Sequence, residues 1–356
     1  GSIQPMPGLP ELGDLPHDPP PVPPPKPSGT FSIGAGFSSD ESFIAAATIA
    51  QPDLFGTGSL LMMHARISAK RQLFLQRFVD PDLFGSPFAL GVDLYVDKRE
   101  RYGFTREAAG GSLTLSHRFA KHTRAFVGYR LEDVKVTSDA SVPRTIDPTN
   151  PSPPLTSGIL SALRAGIVYD STDRSGAPLH GTVFGTSAEI SERRLGSDFD
   201  FIRTDTWLQH HRPIGPFTLH LSGSLSTIGS PSYSTIEYGR PQVALSERLF
   251  LGSSQEIRGY DPDSFGPIDA LGRPIGGNAK LLGSVELEAP LVRRIGLSAF
   301  GFADAGGLFT SGQHRVGRSV GFGLLWRSPI GPLKLSWALP LDGTKPGFVF
   351  GFGTGF

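Results

Sequence analysis

The segment Phe88–Asp97 reads FALGVDLYVD, and every second residue in it is apolar. The positions between include Asp93 and Asp97, so the two faces of an extended chain would differ in polarity. Side chains alternate between the two faces of a β-strand, and a period of two is typical of a strand lying between an apolar and a polar environment. The segment therefore predicts a β-strand with one apolar and one polar face.

The same alternation recurs along most of the chain after residue 29, for example in Phe217–Ser226 and Leu333–Leu339. Segments of this kind, about nine to thirteen residues long, number about sixteen. They begin near Thr30, Phe43, Ser59, Arg71, Phe88, Phe104, Thr123, Gly158, Gly181, Phe201, Phe217, Lys280, Gly296, Arg318, Pro332 and Gly347. No comparable stretch shows the sustained 3.6-residue period of an amphipathic helix. The sequence thus predicts an all-β protein.

The hydropathy of the chain agrees with membrane-spanning strands. Mean hydropathy is −0.09, and no run reaches the roughly 18 apolar residues of a membrane helix. Strands of a transmembrane barrel alternate apolar and polar residues, so their hydropathy averages close to zero. About ten residues of tilted strand cross a bilayer, and bacterial single-chain barrels have an even number of strands. We therefore predict a sixteen-stranded antiparallel transmembrane β-barrel.

The composition argues against several classes of function. Lys plus Arg and Asp plus Glu each number 33, so no basic excess indicates a nucleic-acid partner. The absence of cysteine excludes disulfides, thiol chemistry and cysteine-ligated metals. The histidines lack metal-ligand spacing, and neither a GxSxG nor a GxxxxGK(S/T) motif occurs. We expect no catalytic residues, no metal and no cofactor, and hence no enzyme.

Residues 1–28 differ in composition from the rest of the chain. Gly1 and Ser2 look like a cloning remnant, and no signal peptide is evident. Pro19–Pro27 is mostly proline, which favours an extended polyproline conformation and cannot join a sheet ladder. We predict a linker over 1–28 and a transmembrane β-barrel over 29–356.

The longest irregular segment, about 229–279, separates two groups of predicted strands. A loop of this length in a compact domain is usually functional. It contains Arg258, which needs an anionic partner if it is buried, because an isolated buried charge is very costly. Glu286 and Asp304 lie on later strands, on faces that we assign to the lumen because a carboxylate facing lipid is unfavourable. We expect the loop to fold into the lumen and Arg258 to pair with both acids; the alternative is that all three are solvated charges.

Several motifs in this half of the chain resemble those of one family. Glu247–Gly252 (ERLFLG) and Ile257–Tyr260 (IRGY) together are similar to the sixth-loop signature of the BamA/TamA outer-membrane assembly factors, with isoleucine in place of the more usual valine. Gly272–Asn278 (GRPIGGN) resembles the exit of that loop, Phe302–Gly306 (FADAG) the family's (F/G)xDxG motif, and Ser328–Leu333 (SPIGPL) its penultimate hairpin. The matches follow the family order, and the resemblance extends from about residue 29 to residue 356.

This resemblance implies an insertase that folds other barrel proteins into the outer membrane of a Gram-negative bacterium. The implied loop-anchor motif comprises Ile257, Arg258, Gly259 and Tyr260, and the implied counter-charges are Asp304 and Glu286. The implied partners are unfolded outer-membrane β-barrel proteins and outer-membrane lipids. In the family, periplasmic POTRA domains precede the barrel and provide a route to accessory lipoproteins; no such domain is evident in this sequence.

The first and last predicted strands both contain glycines, which weaken a strand. Barrel closure requires these strands to pair, so we predict a weak seam between them. The residues assigned to it are Thr30, Phe31, Gly34, Gly36, Gly351, Gly353 and Phe356. By resemblance, Phe356 is similar to the C-terminal signal of barrel proteins, and Gly353 matches the kink glycine of the family's last strand. We expect lateral opening of the seam, with unpaired backbone groups templating an incoming strand by β-augmentation.

Two alternative functions remain open. A protein-translocating pore of the two-partner-secretion type, from the same superfamily, would give a large and steady conductance in planar bilayers, whereas a plugged insertase would not. A barrel enzyme, such as an outer-membrane protease or lipase, would need a Ser/His/Asp-type cluster near the barrel rim. We find no such cluster at convincing positions in the sequence.

Overall fold

A computed structural model describes most of the chain. The described residues are 29–139, 153–173, 179–231, 236–237, 240–241, 243–252, 256–261, 263, 265–269, 272–310, 312–328 and 331–352. The proposed linker over 1–28 and two of the predicted seam residues, Gly353 and Phe356, lie outside these ranges.

The described secondary structure is almost entirely strand. The strands are β1 (Thr30–Ser38), β2 (Ser42–Leu54), β3 (Ser59–Ser68), β4 (Arg71–Asp80), β5 (Phe88–Arg101), β6 (Phe104–Ala120), β7 (Thr123–Ser138), β8 (Gly158–Asp170), β9 (Gly181–Ser191), β10 (Phe201–Ile214), β11 (Phe217–Gly229), β12 (Ile236–Glu237), β13 (Arg240–Pro241), β14 (Ala279–Val292), β15 (Leu297–Thr310), β16 (Gln313–Ser328), β17 (Gly331–Pro340) and β18 (Gly347–Phe352). Short 3-10 helices occupy Leu83–Gly85, Arg193–Leu195, Leu245–Glu247 and Arg293–Ile295.

Sixteen of these strands form one closed antiparallel barrel, which confirms the predicted fold class. Each strand pairs with its neighbours in the chain, except that β11 pairs with β14 and β1 pairs with β18 to close the ring. The pair β12–β13 forms a separate two-stranded sheet within the long segment between β11 and β14. In the described part of the chain, no helix is both long enough and apolar enough to cross a bilayer.

The alternating pattern assigns the two faces of each strand. On β5, Leu94 and Val96 are 56% and 52% exposed on the outside, whereas Asp97 is only 5% exposed on the inside. Exposed leucine and valine over so much of a barrel surface fit a hydrocarbon environment, where burial against lipid replaces burial in a core. The inner wall holds the charged residues, which pair with one another; Arg77, for example, donates to both oxygens of Asp93 at 2.7 and 3.1 Å.

The ends of some strands differ from the sequence prediction. Strand β16 begins at Gln313 rather than near Arg318, and β6 spans 17 residues, more than the thirteen expected at most. Both strands are paired up to the turns of their hairpins: Gln313 lies opposite Thr310, and Ala120 opposite Thr123. Alternation of polarity reports a strand only where its outer face meets lipid, so strand ends outside the apolar belt carry no such signal.

The main hydrophobic cluster lies inside the barrel. It combines loop side chains, among them Leu251, Ile257 and Phe265, with inward residues of the wall such as Leu160 and Phe201. Full burial of one such side chain contributes about 1.5–3 kcal/mol. The loop and the wall therefore share one core, which fixes the position of the loop between residues 243 and 278.

The β1–β18 closure is the shortest pairing in the ring among the described residues. Only Phe37 and Ser38 have directly opposed partners on β18, namely Phe352 and Gly351. Strand β1 makes nine opposed pairs with β2, and β18 makes six with β17. Among the described residues, the closure thus contains fewer opposed pairs than the joints on either side of it.

Candidate functional site

The loop between β11 and β14 folds back on itself before it meets the wall. Leu249 and Gly277 exchange two backbone hydrogen bonds at 3.1 and 2.7 Å. Isolated antiparallel bridges also join Leu251 to Phe265 and Ile268 to Pro274. These contacts satisfy backbone groups that would otherwise be buried without partners.

Arg258 lies against the inner faces of β14 and β15. Its guanidinium donates to Asp304 from Nε and Nη2, both at 2.7 Å, and to Glu286 from Nη1 at 2.6 Å. Its backbone N–H also donates to Asp304 at 3.2 Å. A two-pronged guanidinium–carboxylate pair is strong and directional, because both groups are charged and planar. The structure thus brings together the three charged residues named from the sequence.

Further groups complete the surroundings of Arg258. The ring of Phe302 lies under the guanidinium, with Cζ 3.4 Å from the ring centroid. Ser284 accepts from Arg258 at 3.2 Å and donates to Asp304 at 2.6 Å. Burial disfavours the charge of Arg258, but hydrogen bonds and charges from Asp304 and Glu286 outweigh burial and raise its pKa above the ordinary value.

Lys334 extends this cluster to strand β17. Its Nζ donates to the two oxygens of Glu286 at 3.1 and 3.0 Å and lies 4.5 Å from the centroid of the Phe300 ring. Glu286 therefore joins a cation from the loop to a cation on the penultimate strand of the barrel. Sequence reasoning placed Lys334 on the polar face of its strand but did not assign it to this site.

The neighbours of Arg258 in the motif fit the wall closely. Ile257 is fully buried against Gly306, where an added Cβ would lie 2.4 Å from Ile257 Cδ1. Gly259 has φ +93°, which disfavours any residue with a Cβ, and a Cβ there would lie 3.1 Å from that of Ala338 on β17. Tyr260 donates through its hydroxyl to the backbone carbonyl of Arg318 at 3.1 Å. All four residues of the predicted motif thus contact the wall.

Substitution of Gly306 by alanine is expected to destabilise the seated loop by about 1–3 kcal/mol, the usual effect of overpacking. The new methyl would overlap Ile257 Cδ1. Thermal unfolding in detergent, followed together with protease protection of the loop, measures the effect. Adding Ile257→Val removes the Cδ1 atom and should restore part of the loss. Gly283→Ala is the matched control, because an added Cβ there meets nothing within 4 Å; equal effects at both glycines would contradict the packing argument.

The structure separates the two groups of predicted site residues. The loop-anchor motif and its counter-charges form one buried cluster, whereas Thr30, Phe31, Gly34 and Gly36 lie on β1 at the barrel closure, with Gly351 on β18. Within the described residues, no group of three or more His, Cys, Asp or Glu side chains is arranged to hold a metal ion.

Comparison with known proteins identifies the family. The model of the Omp85 superfamily domain matches residues 53–356. The chain belongs to the Omp85 superfamily. Outer membrane protein assembly factor BamA of Nitratidesulfovibrio vulgaris is 26% identical over 327 residues, which cover 90% of this chain and 40% of that protein. The chain therefore spans less than half the length of this relative.

Solved Omp85 structures share the fold. The crystal structure of BamA from Haemophilus ducreyi lacking POTRA domains 1–3 superposes with a TM-score of 0.77 at 21% identity, covering 92% of this chain and 70% of that one. CdiB from Acinetobacter baumannii gives a TM-score of 0.59 at 11% identity, covering 91% and 58%. Membership of the Omp85 superfamily and the closed barrel confirm the predicted family resemblance and the predicted outer-membrane location.

Proposed function

We propose that this chain is the barrel domain of an outer-membrane protein assembly factor, which inserts unfolded β-barrel proteins through the β1–β18 closure. The bacterial relative named above is an outer membrane protein assembly factor, and the similarity covers 90% of this chain. The observation that carries the mechanism is the glycine content of the closing strands, because Gly34, Gly36, Gly347 and Gly351 contribute no side chain to cross-strand pairs.

The N-terminal part of β1 has the properties of a strand edge that can template another strand. Residues 30–34 are exposed, Thr30–Gly36 pair with β2 along one edge, and lateral opening would free the other edge of β1. An unpaired strand edge presents a row of N–H and C=O groups that can bind another strand. An incoming barrel strand would add to this edge by β-augmentation, where backbone hydrogen bonds require no particular sequence.

The side chains at the closure oppose its opening only weakly. The rings of Phe37 and Phe350 lie 5.9 Å apart across it, and the Ser39 N–H donates to the Phe350 carbonyl at 3.2 Å. Cross-strand side-chain pairs each contribute roughly 0.2–1 kcal/mol. Gly34 and Gly36 of β1 and Gly351 of β18 contribute no such side-chain pair, so in this proposal the barrel opens here at lower cost than between central strands and remains folded elsewhere.

In this proposal the loop anchor supports the strands that border the closure. Gly259 packs against Ala338 and Pro340 of β17, and its Cα lies 3.5 Å from the position of an ideal Cβ on Gly347 of β18. The motif would therefore hold the β17–β18 side in place while β1 moves. Outer-membrane lipids surround the closure, and accessory lipoproteins would act through POTRA domains of the whole protein.

A reconstitution assay tests the proposal. Liposomes containing the chain are expected to fold an added unfolded outer-membrane β-barrel protein faster than liposomes without protein. Folding of the substrate protein is measured from its heat-dependent change in migration on SDS gels. The control uses an outer-membrane barrel of similar size outside the Omp85 superfamily. Equal folding with both barrels would contradict the proposal, and a large, steady conductance in planar bilayers would favour the translocating pore.

A further inference from the structure

A second buried charge of the loop, Glu247, contacts a different part of the wall from Arg258. Glu247 is 4% exposed. Arg106 of β6 donates to Glu247 Oε1 at 3.0 Å, and a guanidinium nitrogen of Arg203 on β10 lies 3.6 Å from Oε2. Arg203 also donates to the backbone carbonyl of Glu247. Two strands of the wall thus hold one carboxylate of the loop.

These arginines belong to a larger network on the wall. Arg106 also donates to Glu132 of β7 at 2.7 Å, and Glu132 accepts from Arg130 at 3.1 Å. Arg130 in turn pairs with Glu189 of β9. The network holds three arginines and three glutamates, and Glu247 is the only one of the six contributed by the loop. Without Glu247, the other five members of the network would carry a net positive charge, which is costly in a low-dielectric site.

The two charge sites of the loop contact different strands of the barrel. Arg106 on β6 lies seven strands from β15 in the ring of sixteen, and Arg203 on β10 lies three strands from β15, so Glu247 attaches the loop to the wall away from the strands that bind Arg258. Apolar and aromatic contacts reinforce the Glu247 side: Phe250 packs on Phe104 of β6 with ring centroids 6.1 Å apart. Arg101 of β5 lies 4.8 Å from the centroid of Phe250 and pairs with Asp263 of the loop at 2.6 Å.

We infer that Glu247 is a second positioning residue for the loop, and that two independent ionic anchors, on different strands of the lumen wall, hold the loop in place. Arg258 fixes the part of the loop nearest β14 and β15. Glu247 fixes the part that precedes it. The inference concerns the seating of the loop and does not depend on the proposed assembly function.

The burial of Glu247 supports a charged contact there. Burial alone would raise the pKa of this carboxyl group, but Arg106 and Arg203 outweigh burial and hold the pKa below its ordinary value. Glu247→Gln keeps the shape of the side chain and removes the charge, so it tests the ionic contact without creating a cavity. A 3-10 helix over Leu245–Glu247 and the bond from the Leu245 N–H to the Pro154 carbonyl at 2.8 Å would remain.

Trypsin can measure the two anchors separately, because Arg248 and Arg258 are both buried on the loop and neither precedes a proline. In the folded Glu247→Gln protein, cleavage after Arg248 is expected to rise by about tenfold or more, since local opening sets the rate. Cleavage after Arg258, which pairs with Glu286 and Asp304, should be unchanged. Each cleavage rate is divided by the rate for the same variant in its denatured state, so that intrinsic differences between cleavage sites cancel. Heat-dependent gel migration verifies that the barrel is folded.

Two comparisons decide the result. Glu256→Gln is the matched control. Glu256 lies in the same loop and pairs with Lys280 of β14, but its side chain is 23% exposed. This substitution should leave cleavage after Arg248 unchanged. Arg106→Gln should reduce the effect of Glu247→Gln, because two residues in direct contact act non-additively. Unchanged cleavage after Arg248 in Glu247→Gln, or fully additive effects of the two substitutions, would overturn the inference.

Discussion

Oxidation of a cysteine pair introduced by Ser38→Cys and Gly351→Cys is expected to reduce assembly activity to background, and reduction should restore it. These residues face each other across the β1–β18 closure. Because the next pair, Ser39 and Phe350, is joined by a backbone hydrogen bond, Ser38 and Gly351 form a non-hydrogen-bonded pair. The Cα atoms of such pairs are about 4.5 Å apart, within the range that a disulfide spans. The chain has no native cysteine, so no other disulfide can form.

The matched control places the same lock between two central strands. Gly91 of β5 and Thr114 of β6 are directly opposed, and an ideal Cβ on Gly91 lies 3.9 Å from that of Thr114. This separation suits a disulfide. Gly91→Cys with Thr114→Cys should leave assembly activity unchanged in both redox states. Full activity of the oxidised β1–β18 variant would exclude lateral opening as the mechanism.

Arg258→Ala is expected to destabilise the seated loop by about 3–5 kcal/mol, because it leaves buried Asp304 without its cation and buried Glu286 with Lys334 alone. Asp304 and Glu286 are 4% and 5% exposed, so water cannot readily replace the guanidinium. Chymotrypsin measures the result: cleavage after Tyr260, buried in the native loop, should become fast in the folded barrel. Assembly activity should fall in parallel if the loop supports the closure.

The control for this variant is Arg327→Ala. Arg327 also donates to both oxygens of one carboxylate, Glu288, at 2.6 and 2.9 Å. Its side chain is 37% exposed, and an ion pair open to solvent typically contributes about 0–1 kcal/mol. Loop protection should therefore survive in Arg327→Ala. Intact protection in Arg258→Ala would show that the apolar contacts of the loop suffice to seat it.

The barrel itself was predictable because polarity alternates wherever a strand separates lipid from lumen. The segment at Phe88 begins where predicted, and the sixteen-stranded count is correct. The start of β16 at Gln313 was missed because this end of the strand lacks an apolar outer face. The short pair β12–β13 was also missed, since two residues per strand are too few for a period to appear.

The charged residues around Arg258 could be named from the sequence, because the alternation of side chains along a strand indicates which carboxylates face inward. This alternation does not give the register between neighbouring strands. Ser284 and Lys334 reach the site only because their strands align as they do, and Glu247 required knowledge of which arginines lie across the lumen. Such contacts cannot be inferred from local sequence, because they join distant residues: Arg106 and Glu247 are 141 residues apart.

The contacts of the loop and of the closure imply an order of folding. Arg258 and Asp304 are 46 residues apart in the chain, Arg106 and Glu247 are 141 apart, and the Ser39–Phe350 contact at the closure joins residues 311 apart. Contacts between distant residues pay a larger loop-closure entropy and form late. We expect the β14–β15 hairpin to capture the loop early, the β6 wall to dock on it next, and the ends of the sheet to meet last. In its own biogenesis, the barrel would thus pass through an open sheet, curled around an already seated loop, that resembles the state in which it is proposed to receive other chains.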